Sequence, residues 1–262
     1  MEQDASRIKV LQRIKDCEAR GDFNVDVEDD PPTIPIDPNK IDYLRKKWTS
    51  KFKTRWAYRL GLRFIKKLVK TKQLVIRDVI GLENLVGVDG GAVITCNHIN
   101  IMDNFIVMLG LNKHFKRFSK PNQMFKVVRE GNYSQTGFLG FCLRNADTLP
   151  IDQSGKNWRL NGKTMEAIKV VLAKGKKVLI YPEQSMWWNY KKPRPTKIGA
   201  FSTAAKNNVP IIPCFITMSG EENVEYTLHI LPIIPPTDKE TMQKQNEKLW
   251  RETYEKVYGT KC

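Results

Sequence analysis

A histidine and an aspartate stand five positions apart in Asn97-His98-Ile99-Asn100-Ile101-Met102-Asp103, directly after the apolar run Val93 to Cys96. A carboxylate that fixes the tautomer of an imidazole and steadies its protonated form makes that imidazole a general base, able to take the proton of an attacking hydroxyl. No serine or cysteine nucleophile is required. On a continuous helix, five residues would set the two side chains about 140° out of alignment. The pair therefore needs a turn between a strand and a helix, where the carboxylate can fold back onto the ring. The ends of parallel strands are where α/β folds build such sites. The competing readings are a satisfied core histidine and an Asp103 that caps a helix. Cys96 would share the face of His98 on a strand, so an acyl-cysteine is weighed against an ordinary buried thiol.

The surrounding pattern predicts the elements that would hold this turn. Val93 to Cys96, Lys177 to Tyr181 and Ile211 to Thr217 read as buried strands, and Lys163 to Lys174 and Ala200 to Asn207 as helices. Alternation of this kind predicts an α/β sandwich, a mostly parallel or mixed central sheet flanked by helices. Before it, residues 1–20 read as a charged helix with a stripe of Ile8, Leu11 and Ile14, and the prolines Pro31, Pro32, Pro35 and Pro38 read as an extended linker. Lys51 to Lys70 sets Phe52, Trp56, Leu60, Phe64 and Leu68 every four residues between basic flanks. That spacing predicts a basic amphipathic helix, packed on its own domain or lying in anionic headgroups. The expected division is 1–40 acidic helix and linker, 41–72 basic helical region that seats the protein on a membrane, and 73–262 catalytic domain.

Charge sharpens this division. Lys and Arg number 44 against 28 Asp and Glu, a net of +16, yet the first forty residues hold ten acids and six bases. A basic body attracts anionic lipid, nucleic acid or phosphorylated small molecules. No nucleic-acid-binding motif accompanies the charge, so nucleic acid is not an expected partner. The five cysteines contain no C-x-x-C pair, so neither a disulfide framework nor a metal site is expected. The amino terminus is too charged for a signal peptide, and no run has the length of a membrane span. The expected location is the cytoplasmic face of a membrane, peripheral or monotopic. Hydrolase elbows, phosphate-binding P-loops and dinucleotide fingerprints are absent, and Gly87, Gly90 and Gly91 read as a tight turn.

Three further segments follow the His98 turn in order. They are Asn145-Ala146-Asp147-Thr148-Leu149-Pro150-Ile151-Asp152 leading into Gln153, then Tyr181-Pro182-Glu183-Gln184-Ser185, then Val209-Pro210-Ile211-Ile212-Pro213. Together with His98 and Asp103 they resemble the four sequence blocks of the glycerolipid acyltransferases, which acylate glycerol 3-phosphate and lysophosphatidate. The resemblance covers about residues 75 to 220, and Lys197-Ile198-Gly199-Ala200-Phe201 extends it. It implies His98 as general base, Asp103 as its partner, and the Glu183 segment as part of an acceptor pocket. It also implies an acyl thioester donor, on coenzyme A or acyl carrier protein, with an acyl phosphate as the alternative, as substrate and with no cofactor.

The chain departs from the family pattern where the family carries arginines that grip phosphate, having Gln153 and Met186 there. Arginine suits such positions through its bidentate geometry. Lys126, Arg144, Lys191, Lys192 and Arg194 are candidates to replace that charge. Asn97, Lys126, Gln153, Glu183, Gln184, Ser185, Lys191 and Arg194 are therefore the expected substrate-binding residues. The alternatives are a neutral acceptor such as a glycolipid or sugar, bonded by Gln153, Gln184 and Ser185 and stacked on Trp187 or Trp188, and a non-catalytic protein that binds membrane lipid.

Overall fold

The computed structural model describes residues 5–29, 33–220 and 224–261. Pro31, Pro32, Cys262 and the first four residues of the expected leading helix lie outside them. Among the described residues, seven strands form one sheet in the order β1-β7-β6-β2-β5-β3-β4. They are β1 (Val75–Ile80), β2 (Ala92–Thr95), β3 (Met124–Arg129), β4 (Thr148–Ile151), β5 (Lys177–Ile180), β6 (Ile211–Ser219) and β7 (Glu225–Ile230). Every neighbouring pair is parallel except β6 with β7.

The central strands are short apolar runs because both of their faces are covered. In β2, Val93 stands opposite Ile211 and Val178, and Ile94 stands opposite Ile212 and Leu179. The two rows point to opposite sides, as the two-residue period of a strand requires. Val93, Val178 and Ile211 pack with Ile168 and Val171 of α6 (Trp158–Ala173) and Phe201 of α7 (Gly199–Asn207), with Met242 of α8 (Lys239–Tyr258) completing the layer. Ile94, Leu179 and Ile212 pack on the other side with Ile106 and Leu111 of α3 (Asp103–Leu111) and with Tyr58 and Ile65 of α2 (Trp48–Lys70). The protein is thus an α/β sandwich around a mostly parallel mixed sheet. Two short helices, α4 (Glu130–Ser134) and α5 (Gly137–Asn145), bridge β3 and β4. The Gly87 turn does adopt a left-handed φ of 82°, whereas Gly91 is needed for space: a Cβ there would lie 2.2 Å from the carbonyl oxygen of Leu172.

One helical stripe differs from expectation, and a second takes one of its two expected settings. In α1 (Ala5–Arg20) the buried face is Val10, Ile14 and Cys17, and Ile8 is exposed. These three pack with Val27, Trp187 and Tyr190, so the surface on which α1 docks chose the face among two that share helical spacing. In α2 the buried residues are Thr54, Ala57, Tyr58 and Ile65, while Phe52, Trp56 and Phe64 stay exposed. The small and β-branched residues let the helix lie close to the body, and the aromatic row turns outward. No described helix is long and apolar enough to cross a membrane.

Candidate active site

The chain leaves β2 buried, turns through residues 96–102 and enters α3 at Asp103. Asn100 shapes the turn: its Oδ1 accepts from Met102 N at 3.0 Å, and its Nδ2 donates to Tyr226 Oη at 2.9 Å. This brings Asp103, fully buried, back under His98. One carboxylate oxygen, Oδ2, accepts from Ile99 N at 2.7 Å and Asn100 N at 2.9 Å, and lies 3.0 Å from His98 Nδ1. Burial pushes the Asp103 carboxyl above its usual range, and the His98 and backbone donors oppose that rise. With Nδ1 held by the carboxylate, the proton sits on Nδ1 and Nε2 is the basic edge. The ring stacks on Tyr181 with centroids 4.1 Å apart, and Tyr181 in turn donates to Asn104 Oδ1 at 3.2 Å.

The segment after β5 clamps the same turn from the other side. Glu183 Oε2 accepts from His98 N at 3.0 Å and from Arg194 Nη2 at 3.0 Å, while Oε1 accepts from Arg194 N at 2.9 Å. Both side chains of this ion pair are almost wholly buried. Arg194 also donates to Ser185 Oγ and to the Ser185 carbonyl. Trp187 N donates to His98 O at 3.0 Å, and Asn189 N to Ile99 O at 2.9 Å. The result is a histidine whose ring and backbone are both fixed.

His98 opens into a cavity of about 1420 Å³ that runs from α2, α3 and α5 past the carboxyl ends of β3, β4 and β5 to α6 and α7. Lys126, Gln153 and Gln184 line it with His98; Asn97, Glu183, Ser185, Lys191 and Arg194 do not. Asn97 is tied to β6, accepting from Ile216 N and donating to Ile216 O, so it pins β2 to its neighbour. Glu183, Ser185 and Arg194 bond one another and the His98 backbone. Lys191 is exposed, with its ammonium 5.4 Å from the Tyr258 ring, and Lys192 pairs with Glu18. Arg144 bonds the carbonyls of Tyr133 and Gln135. The Lys126 ammonium turns inward to Ala146 O and Tyr58 Oη, and burial pulls its pKa down to about 8. Trp187 is fully buried and offers no face for stacking a sugar, while Trp188 is half-buried beside α1 with the Arg7 guanidinium 5.5 Å from its ring. Cys96 is fully buried and burial raises its thiol well above the ordinary range, which removes the acyl-cysteine alternative.

One residue with no motif around it joins the site. Arg129, the last residue of β3, lines the cavity and pairs with Asp26. Asp26 belongs to the chain after α1, where Trp187 Nε1 and Ser185 Oγ donate to Val25 O. Only its place at a strand end, next to the short helix α4, marked Arg129 in the sequence.

Among the described residues no cluster of His, Cys, Asp or Glu has the makings of a metal site. The chain's residues 76–217 match the model of the family described as Acyltransferase. Over 147 residues, 55% of this chain, it is 29% identical to the chloroplastic 1-acyl-sn-glycerol-3-phosphate acyltransferase BAT2 of Brassica napus, and the match spans 37% of that protein. Its fold resembles the crystal structure of PlsC, the 1-acyl-sn-glycerophosphate acyltransferase of Thermotoga maritima, with a TM-score of 0.53 at 16% identity over 84% of this chain and 86% of that one. The family model covers more than half of the chain and includes both His98 and Asp103, and the chain belongs to the Acyltransferase family.

Proposed function

We propose that the protein moves a fatty-acyl group from a thioester to a hydroxyl of a phosphate-bearing glycerolipid, such as a 1-acyl-glycerol 3-phosphate, at a membrane surface. The observation that carries this reading is the His98–Asp103 pair at the wall of a cavity large enough for acyl chains. His98 Nε2 takes the hydroxyl proton as the oxygen attacks the thioester carbonyl. The tetrahedral intermediate collapses, the carbon–sulfur bond breaks, and the imidazolium returns the proton to the departing thiolate. Asp103 carries the negative charge that steadies the imidazolium between those steps.

The cavity rim supports a membrane seat. Phe64, Ile101, Phe138 and Leu139 all border the cavity and are 49%, 59%, 68% and 61% exposed. Apolar side chains grouped around an opening, beside basic residues on α2, suit the interface of an anionic leaflet. A lipid acceptor would enter there from the bilayer. Coenzyme A or acyl carrier protein would present the donor from the aqueous side.

Arg129 supplies the charge that Gln153 and Met186 lack. The guanidinium already holds a carboxylate, that of Asp26, inside the cavity that contains His98. An acceptor phosphate takes the place of that carboxylate, where the guanidinium fork can grip it through two bonds. The test is release of free thiol from palmitoyl-coenzyme A, or from palmitoyl acyl carrier protein, with lysophosphatidate, a lysoglycolipid or no acceptor. Release should depend on lysophosphatidate, and Arg129→Gln should raise KM for it on the order of tenfold or more. Acylation of the glycolipid alone, unaffected by Arg129→Gln, would overturn the phosphate acceptor. Acceptor-independent background with both donors would return the chain to a lipid-binding role.

A further inference from the structure

We propose that a second cleft, on the opposite flank of α2 from the catalytic cavity, binds the phosphomonoester headgroup of an anionic membrane lipid. The cleft, about 680 Å³, lies between α2 and the loop of residues 117–123. Arg55, Arg59, Arg63 and Lys66 enter from the helix, Arg117 and Lys120 from the loop, and no acidic residue lines it. Among the described residues none of these six cations is in an ion pair.

This arrangement works against the stability of the empty protein. Arg55, Arg59 and Arg63 repeat every four residues on one face, where like charges repel. The acid beneath the cleft, Asp147, is fully buried and already accepts from Tyr58 Oη at 2.8 Å and Asn122 N at 2.6 Å. The loop is held in shape as well, since Ser119 N and Oγ both donate to Asn112 Oδ1 at 3.0 and 3.1 Å. A fixed concavity of unneutralised cations is built for an anion with more than one charge. A phosphomonoester carries about −1.5 to −2 at neutral pH and accepts several charge-assisted bonds, against a single charge on a phosphodiester.

The helix also indicates where that anion lies. Trp48, Phe52 and Trp56 are exposed along α2, beside the cationic flank, at 76%, 54% and 42%. With those rings at the level of the headgroups, the cleft faces lipid phosphates. It is separate from the acyl-transfer site: Tyr58 and Leu62 stand in the wall between the two, while Ala57, Leu60 and Phe64 face only the catalytic side. The inference rests on the membrane-seated reading above and not on the transfer chemistry.

The test uses the full chain and phosphatidylcholine vesicles containing either phosphatidate or phosphatidylserine, matched in surface potential, in about 0.15 M salt. Wild type should bind the phosphatidate vesicles about tenfold more tightly, and Arg59→Gln/Arg63→Gln/Arg117→Gln should bring the two affinities together. Equal binding by wild type at matched potential, or a preference that survives the triple substitution, would overturn the site. Coenzyme A carries a phosphomonoester in solution. If it displaces wild type from phosphatidate vesicles and the triple variant no longer binds it, the cleft belongs to the soluble donor and the lipid assignment fails. In detergent micelles the triple variant should acylate lysophosphatidate at the wild-type rate. A wild type that transfers no acyl group would defeat the proposed reaction and leave the vesicle result standing.

Discussion

Replacing His98 with alanine should lower kcat for thiol release on the order of 10³-fold while the fold is retained. The ring is about four-fifths buried against Tyr181, so its loss costs some stability, but Glu183 and Trp187 hold the backbone of the turn without it. On the proposed mechanism, what disappears is the base. General-base catalysis contributes about 10² to 10⁴ in rate, and each tenfold corresponds to about 1.4 kcal/mol of transition-state stabilisation. Asp103→Asn should cost less, about 10²-fold. Its amide oxygen can replace Oδ2 and accept from the same three donors, which keeps the ring and its tautomer in place. It cannot supply the negative charge that the imidazolium faces. Its amide nitrogen would fall where Oδ1 now lies, a buried atom with no hydrogen-bond partner among the described residues, so some stability is lost as well. Steady-state kinetics with circular dichroism checks both. A His98→Ala protein retaining more than about a tenth of wild-type kcat would remove the histidine from the base role.

The second large effect concerns stability. Arg194→Met should destabilise the fold by about 3 to 5 kcal/mol, because it leaves the Glu183 carboxylate buried beside only neutral donors. Glu183→Gln leaves the guanidinium buried without its counter-charge and should cost a similar amount. The double variant should recover much of either loss, since a matched neutral pair has no uncompensated charge. Urea unfolding of the four proteins measures the coupling, and a loss under about 1 kcal/mol for Arg194→Met would show that the pair is not structural. The same variants separate two roles for Glu183. A carboxylate that touches the acceptor would raise KM when neutralised. A positioning residue, acting through His98 N, should lower kcat and leave KM near wild type at a temperature where the variant is folded.

That distinction shows how far the site was legible beforehand. The His98 and Asp103 pair and the Glu183 segment were visible from residue type, spacing and order. The sequence did not say which way Glu183 faced. A glutamate after a buried strand reads equally well as a ligand contact or as an internal brace, and the choice depends on Arg194 eleven residues later. Arg194 and Ser185 have the chemistry of substrate contacts, yet they donate within the protein. Arg129 was missed for the converse reason. Its place at the cavity depends on how distant helices assemble around β3, and on Asp26 from a segment about a hundred residues earlier.

The layered α/β class, the central strands and the candidate dyad are legible in the sequence because they depend on local facts: short apolar runs rich in β-branched residues and bounded by turn residues favour buried strands, and a turn after such a strand lets Asp103 fold back to His98. Helix faces were decided by the tertiary structure. Ile8, Leu11 and Ile14 satisfy helical periodicity as well as Val10, Ile14 and Cys17 do, and the pocket around Trp187 and Tyr190 selects between them. The row from Phe52 to Leu68 reads equally as the buried side of α2 or as its outer face, and the body accepts Ala57, Tyr58 and Ile65, leaving Phe52, Trp56 and Phe64 exposed. Periodicity names the stripes that a helix can bury. Which stripe is buried, and which faces a cavity or a membrane, depends on the free energy of packing against residues far away in the chain.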